Sequence, residues 1–205
     1  MLNGKFIVID GPDGAGKSTQ IKLLSAFVEK SGVKVTMARD PGGTDIGEQV
    51  REILLDNKNK AMGVNCEVLL FMASRAQLYS QIIKPALDAG HCVICDRWVS
   101  STIAYQAVAG KMGEEKVNRI AQECLQRPWP DLTIIVDVAY DIGMARVGEN
   151  KDRMENKGAT YHQAVRDAFV GQLLGRADFK RIDGKGTIED VHQDIVEVIL
   201  DYVDA

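Results

Sequence analysis

The sequence predicts an α/β protein: a three-layer α/β/α sandwich around a parallel five-stranded sheet. Three observations carry that expectation. Short unbroken apolar runs such as "FIVID", "CVICD" and "LTIIVD" recur along the chain, and strands of that kind belong to parallel sheets covered on both faces. Segments with apolar residues at helical spacing separate the runs, the alternation that βαβ crossovers produce. Between the first run and the first helical segment lies "GPDGAGKST", residues 11–19, a glycine-rich turn of the type that holds phosphate at the start of a helix.

The elements follow in order. Residues 5–10 form the first strand. From about Lys17 to Lys30, Ile21, Leu24 and Val28 recur at helical spacing, and Gly32 supplies a stop. "VKVTMA" (33–38) is the second strand, ended by the turn "RDPGGT" (39–44). A helix is expected over Asp45–Leu55, a loop over 56–63, and then one long helix over 65–90. That helix should bend at Pro85, whose ring and missing N–H disrupt the preceding turn. "CVICD" (92–96) and "LTIIVD" (132–137) are the third and fourth strands, and "FKRID" (179–183) a short fifth. An amphipathic helix from about Ile188 to Val203 closes the chain. No repeat or composition shift interrupts it, so residues 1–205 are expected to form one domain.

Composition narrows the partners. Lys plus Arg total 25 and Asp plus Glu 29, a net charge of −4, which argues against non-specific nucleic-acid binding. The 45% hydrophobic content is ample for a core. No apolar run reaches the roughly 18 residues of a membrane helix, and "MLNGKFIVID" runs into a strand without a signal-peptide pattern. The spacing of Cys92 and Cys95 in "HCVIC" could suggest metal or redox chemistry, but in a strand those two positions face opposite ways. Cys66, Cys92, Cys95 and Cys124 are therefore expected to be reduced, in a cytoplasmic protein.

The loop matches G-x-x-x-x-G-K-[ST] through Gly11, Gly16, Lys17 and Ser18. Its glycines let backbone N–H groups turn inward, and the helix beginning near Lys17 adds its positive end. Lys17 should reach the outer phosphates of a nucleotide, and the Ser18 hydroxyl should ligate Mg²⁺. Asp96, at the end of "CVICD", is placed to be the second metal-side group; the other reading is a helix cap or an ion pair with Arg97. A switch GTPase would need an N-K-x-D segment, and none is present.

The remaining polar residues suggest an acceptor. Phe71 and Arg75 lie four apart on the long helix and share a face. They make either a stacking surface with a phosphate clamp, or a core ring beside a solvated guanidinium. In "DRWVSSTIAYQ", Arg97 leaves the strand end where α/β proteins collect ligands. If 100–106 is helical, Ser101 and Tyr105 share one face, and Thr102 and Gln106 another. Those last two could read the polar edge of a base, and Tyr105 could press on a sugar. The segment "RVGENKDRMENKG" (146–158) carries Arg146, Lys151, Arg153 and Lys157 among three acids. It is either a solvated charged loop or a mobile cationic lid.

Taken together, "FIVIDGPDGAGKSTQ", "RDPGGT", "LLFMASRAQ", "DRWVSSTIAYQ", "RPWPDLTIIVDV" and "DRMEN" resemble the thymidylate kinase family in order and spacing over nearly the whole chain. The resemblance implies the P-loop kinase fold, Mg²⁺-dependent transfer of the ATP γ-phosphoryl group to dTMP, and a homodimer. It implies an ATP site at Gly11, Asp13, Gly14, Ala15, Gly16, Lys17, Ser18, Thr19 and Arg146. On the dTMP side, Asp13 corresponds to the loop carboxylate facing the deoxyribose, and Phe71 to the ring on thymine. Arg75 and Arg97 correspond to acceptor arginines. Ser101 joins this set, Thr102 and Gln106 read the base, Tyr105 blocks a 2′-hydroxyl, and Arg39 lies in the second acceptor loop. Arg153 corresponds to the catalytic lid arginine of the bacterial-type subgroup, which lacks an arginine at the position of Gly14. Lys17, Arg97, Arg153 and Asp13 are thus the expected catalytic set, with Ser18 and Asp96 toward the metal. Asp10, Asp40 and Trp98 depart from the residues usual at those places.

Overall fold

The structure, a computed structural model, describes residues 2–172 and 175–204. Its strands are β1 (Phe6–Asp10), β2 (Val35–Arg39), β3 (Cys92–Asp96), β4 (Leu132–Asp137) and β5 (Phe179–Asp183). They pair in the order β2-β3-β1-β4-β5, every pairing parallel. The described helices are α1 (Lys17–Lys30), α2 (Asp45–Leu55), α3 (Val64–Leu78), α4 (Lys84–Asp88), α5 (Val99–Thr102), α6 (Glu114–Cys124), α7 (Tyr140–Val147), α8 (Ala159–Asp167) and α9 (Ile188–Asp204).

The unbroken apolar strands are buried on both faces, as the sequence predicts. Phe6 and Val8 of β1 enter one core while Ile7 and Ile9 enter the other. Leu24 and Val28 of α1 and Val191, Ile195 and Ile199 of α9 close over the second core. Val68 and Met72 of α3, Val117 and Ala121 of α6, and Val165 of α8 close over the first. Cys92 and Cys95 fall in different cores, so their spacing reflects strand alternation, and the described cysteines form no disulfide. Trp98 fills the first core, its ring edge-on to Phe6 at 5.2 Å and its Nε1 donating to Pro128 O at 3.0 Å.

Register sets where the site falls. Ile9 pairs with Asp96 and Arg39 pairs with Asp96, so β1, β2 and β3 end together. Their following loops therefore emerge at one edge of the sheet, the edge where open α/β folds bind ligands.

Three expectations need correction. The second strand begins at Val35 and includes Arg39, two residues later than "VKVTMA" suggests at its start. The long helix is interrupted before Pro85, by a π-helical turn over Tyr79–Ile83, and Pro85 sits in the first turn of α4. A proline there donates no bond to the preceding turn, and the widened coil ahead of it accommodates that loss. The segment 100–106, whose face-sharing is conditional on a helix, is helical, but its α-helical spacing ends at Thr102; Ile103–Ala109 is π-helical, with Gly110 N donating to Tyr105 O at 2.9 Å.

One helix contact supports the loop at the sheet edge. A Cβ on Gly14 would lie 2.0 Å from Gly143 O, and one on Gly143 of α7 would lie 2.4 Å from Asp13 O. The two glycines allow backbone to touch backbone. Replacing glycine inside a helix by alanine ordinarily stabilises by about 0.5–1 kcal/mol. Gly143→Ala should do the opposite, lowering stability by about 1–3 kcal/mol through overpacking. A thermal melt checks this, and an unchanged or raised Tm would mean the loop yields freely.

Candidate active site

The phosphate loop is shaped by close backbone approaches. A Cβ on Gly11, at φ 135°, would lie 2.3 Å from Val136 O, so only glycine lets the loop lie on β4. Gly16, at φ 90°, turns the chain into α1, whose first turn carries no acidic residue. The positive helix end thus faces the loop without competition from a carboxylate of its own. Ala15 packs into the core beneath, and Thr19 N bonds Gly16 O at 3.1 Å.

Lys17 is buried and folds over the loop, its Nζ donating to Pro12 O at 2.7 Å and Gly11 O at 3.2 Å. Burial, and then the Arg97 charge, push its amine down to about 8. Ser18 Oγ donates to Asp96 Oδ2 at 2.9 Å. This hydroxyl–carboxylate pair beside a phosphate loop is a set of hard oxygen donors that suits Mg²⁺. Among the described residues there is no cluster of three or more His, Cys, Asp or Glu side chains that could hold a metal.

Arg97 forms the centre of the site. Its backbone lies at φ 67°, a left-handed conformation that costs a non-glycine residue about 1–2 kcal/mol. The turn aims the guanidinium back over the loop. Nη1 reaches Gly11 O and Ser101 Oγ at 3.0 Å and Asp10 Oδ1 at 3.4 Å, and Nη2 binds Asp13. Asp10 is fully buried and also accepts from Gly11 N, Ser100 Oγ and Ser101 Oγ. Tyr105 OH donates to Asp13 Oδ2 at 2.7 Å, and the Arg97 guanidinium stacks over the Tyr105 ring at 5.3 Å. Burial alone would raise the Asp13 carboxyl, but the charges of Arg97 and Lys17 outweigh it and hold the group below its ordinary value.

A cavity of about 320 Å³ opens from this centre. Asp13, Lys17, Ser18 and Asp96 line its loop end; Arg39, Phe71, Arg75, Arg97, Ser101, Thr102, Tyr105 and Gln106 line the remainder. The acceptor-side set read from the sequence therefore converges in one space. Phe71 is half-buried, with its ring on the cavity wall. Arg39 pairs with Glu48 at 2.6 Å. Arg146 lies at the back of the loop, Nη1 3.5 Å from Gly14 O and 3.2 Å from Gly184 O.

Two arginines differ from expectation. Arg75 is fully buried, and its Nε and Nη2 are committed to Asp40, with Nη2 also reaching Trp98 O and Thr102 Oγ1. It is neither a solvated arginine nor a free phosphate clamp; it braces the cavity wall. Arg153 is not brought into the cavity. Its Nη1 pairs with Glu67 at 2.6 Å and its Nε donates to Leu54 O at 2.6 Å, at 5% exposure. The physical reason is Glu67, a carboxylate buried at 1% exposure, which needs cations and takes both Arg153 and Lys157. Segment 146–158 is thus pinned at its centre rather than solvated along its length.

Sequence reasoning missed Arg51, which lines the cavity, donates to Pro41 O at 3.0 Å, and has no carboxylate within ion-pair distance among the described residues. In "EQVREIL" it reads as the polar face of an amphipathic helix, and only the packing of α2 against the cavity distinguishes it. Glu67 gave a weaker hint, an acid opening the apolar run "CEVLLF". His162, which no motif in the sequence marks, places its Nδ1 3.7 Å from Asp13 Oδ2.

A phosphate loop at the edge of a five-stranded parallel sheet, facing a walled cavity with an aromatic and several arginines, defines a P-loop nucleotide kinase. The thymidylate kinase family model matches residues 9–195. The chain is 41% identical over 198 residues to the thymidylate kinase of Symbiobacterium thermophilum, covering 95% of this chain and 92% of that one. It is 38% identical to the enzyme of Fervidobacterium nodosum, covering 97% and 100%. The crystal structure of thymidylate kinase from Ehrlichia chaffeensis superposes with a TM-score of 0.77 at 31% identity, over 97% of this chain and 99% of that one. The chain belongs to the thymidylate kinase family.

Two outcomes test the geometry. Arg153→Ala should cost about 2 kcal/mol, below the 3–5 of a fully broken buried pair because Lys157 remains, and should lower Tm by about 4–8 °C. Unchanged Tm with collapsed kcat would instead return Arg153 to a purely catalytic lid role. For Lys17, only the protonated amine attracts phosphate, so nucleotide affinity should fall as pH rises through about 8. Calorimetric titration above that pH should show proton uptake on binding; flat affinity up to pH 10 would contradict the depressed amine.

Proposed function

We propose that this chain is a working dTMP kinase: it catalyses ATP + dTMP → ADP + dTDP within one kinase domain, and 146–158 serves as its lid. The family supplies the reaction class. The observation that supports the acceptor is the single cavity in which loop residues Lys17 and Ser18 face Phe71, Thr102 and Gln106. A nucleotide-dependent switch has no use for that second wall.

Phosphoryl transfer asks for alignment and charge neutralisation more than for covalent help from the protein. An acceptor phosphate oxygen attacks the γ-phosphorus, and the bond to the bridging oxygen of ADP breaks. In our reading the loop amides and Lys17 hold the donor phosphates, with Arg146 on the donor side. Ser18 and Asp96 would hold Mg²⁺, which supplies charge neutralisation on those phosphates when bound. Arg97 and Arg51 hold the acceptor phosphate, Arg39 supporting them from the second loop. Asp13 and Tyr105 face the sugar, the Tyr105 hydroxyl being held by Asp13 at 2.7 Å, and the Tyr105 ring is the group that would exclude a 2′-hydroxyl. Arg75 and Arg153 act as braces for the base wall and the lid.

No described helix is long and apolar enough to cross a membrane. Ile46 and Ile53 of α2 and Leu69 of α3 leave large apolar side chains exposed, and α2 packs on α3. That face supports a homodimer, a state that sedimentation reads directly.

The central test is ADP release from Mg-ATP with dTMP, dUMP, dCMP, dGMP and the ribonucleotide TMP offered separately. Strong dTMP dependence, weaker dUMP and little TMP are expected. Comparable use of several deoxynucleotides would replace the reading with a kinase of broader base choice, and ADP release without any acceptor would end it.

A further inference from the structure

Gln106 is a base-reading candidate whose side chain is not free to choose its own orientation. It is 1% exposed on the cavity wall, and its Nε2 donates to Glu67 Oε1 at 2.8 Å. Glu67 itself is held by Arg153 Nη1 on Oε2 at 2.6 Å and by Lys157 Nζ on both oxygens, at 2.9 and 3.0 Å. Among the described residues the Gln106 amide makes this one side-chain hydrogen bond, through Nε2, and none through Oε1.

We propose that Glu67 is a positioning residue for base selection: it fixes which end of the Gln106 amide meets the pyrimidine. The inference rests on the reading that Gln106 meets the acceptor base.

An ionised carboxylate only accepts hydrogen bonds, whereas an amide can present either its oxygen or its NH₂. Beside Glu67, the Gln106 NH₂ must turn toward the carboxylate, and the carbonyl oxygen is left for the ligand. A carbonyl acceptor suits a base that carries N3–H, as thymine and uracil do. Cytosine carries a bare acceptor at N3, and two acceptors facing each other in a dry site are costly. The second Nε2 hydrogen, on the same side of the amide as Oε1, then serves the 4-keto oxygen that cytosine lacks. The arrangement requires Glu67 to remain charged. Burial opposes that charge, but Lys157, Gln106 and Arg153 outweigh burial and hold the carboxyl below its ordinary value. The lid segment thus contributes to base choice without touching the base, because two of its cations keep the orienting carboxylate ionised.

The test compares kcat/KM for dTMP, dUMP and dCMP in the full-length protein. Glu67→Gln replaces an obligate acceptor by an amide that can also donate, so Gln106 can invert. Glu67→Asp keeps the charge toward Arg153 and Lys157 but withdraws the carboxylate by one methylene, and so guards against a variant that does not fold. In whichever of the two folds, the dTMP-to-dCMP ratio should fall about tenfold to a hundredfold, mainly through a higher KM for dTMP. The dTMP-to-dUMP ratio, which reports the 5-methyl group, should stay put. An intact dTMP-to-dCMP ratio in a folded Glu67 variant would overturn the inference, as would an equal fall for all three substrates, which marks a merely structural anchor. Wild-type protein with no dTMP-dependent ADP release would instead remove the reading on which the inference rests.

Discussion

The Arg97 guanidinium is the cation on which the site is built. It sits between the buried Asp10 carboxylate at the end of β1 and the Asp13 carboxylate of the phosphate loop, with Tyr105 beneath it. Arg97 is only partly buried, and two acids on one side supply its counter-charge. The same arrangement draws three chain segments together: the end of β1, the loop, and the turn after β3. Its left-handed backbone is a local cost that the surrounding contacts hold in place. Because Asp13 and Lys17 feel the same guanidinium, its position also sets the charge that an incoming phosphate meets.

Around this centre the loop and the acceptor wall are held by different means. The loop is rigid through backbone contact: Gly11 lies on Val136, and Gly14 lies on Gly143. The absence of a side chain at position 14 is therefore not simply a missing arginine, since α7 occupies the space where one would start. The acceptor wall is rigid through buried charge pairs. Arg75 with Asp40, and Glu67 with Arg153 and Lys157, are each costly to desolvate and costly to break by removing one partner. Tyr105 and Gln106 reach the cavity from a π-helical turn, a widened coil that recurs at functional sites.

Much of this was legible from residues alone. The helix over Asp45–Leu55 begins and ends as its pattern predicts, with Thr44 Oγ1 accepting from Gly47 N as its cap. Phe71, Thr102, Tyr105 and Gln106, grouped on the acceptor side by the sequence, line one cavity, and Ser18 and Asp96, grouped toward the metal, lie within hydrogen-bond distance of each other. The expectations for Arg75 and Arg153 fared differently for one reason. Each depends on a carboxylate more than thirty positions away, Asp40 for one and Glu67 for the other. Spacing along a helix shows which face a side chain occupies; it does not show what charge packs against that face.

What the sequence by itself determined is whatever short-range chemistry dictates: apolar runs that must be buried on both faces, glycines that permit a phosphate loop, and the lysine and serine fixed at its helix start. Those features depend on neighbours within a few residues, so they survive without knowledge of the fold. Tertiary structure decided how each arginine is used. Arg97 was directed to the loop, Arg51 to the cavity, Arg75 to Asp40, and Arg153 to Glu67. A guanidinium is long, always charged and able to bind any acid within reach, so its role is set by which carboxylates the packed sheet and helices bring to it.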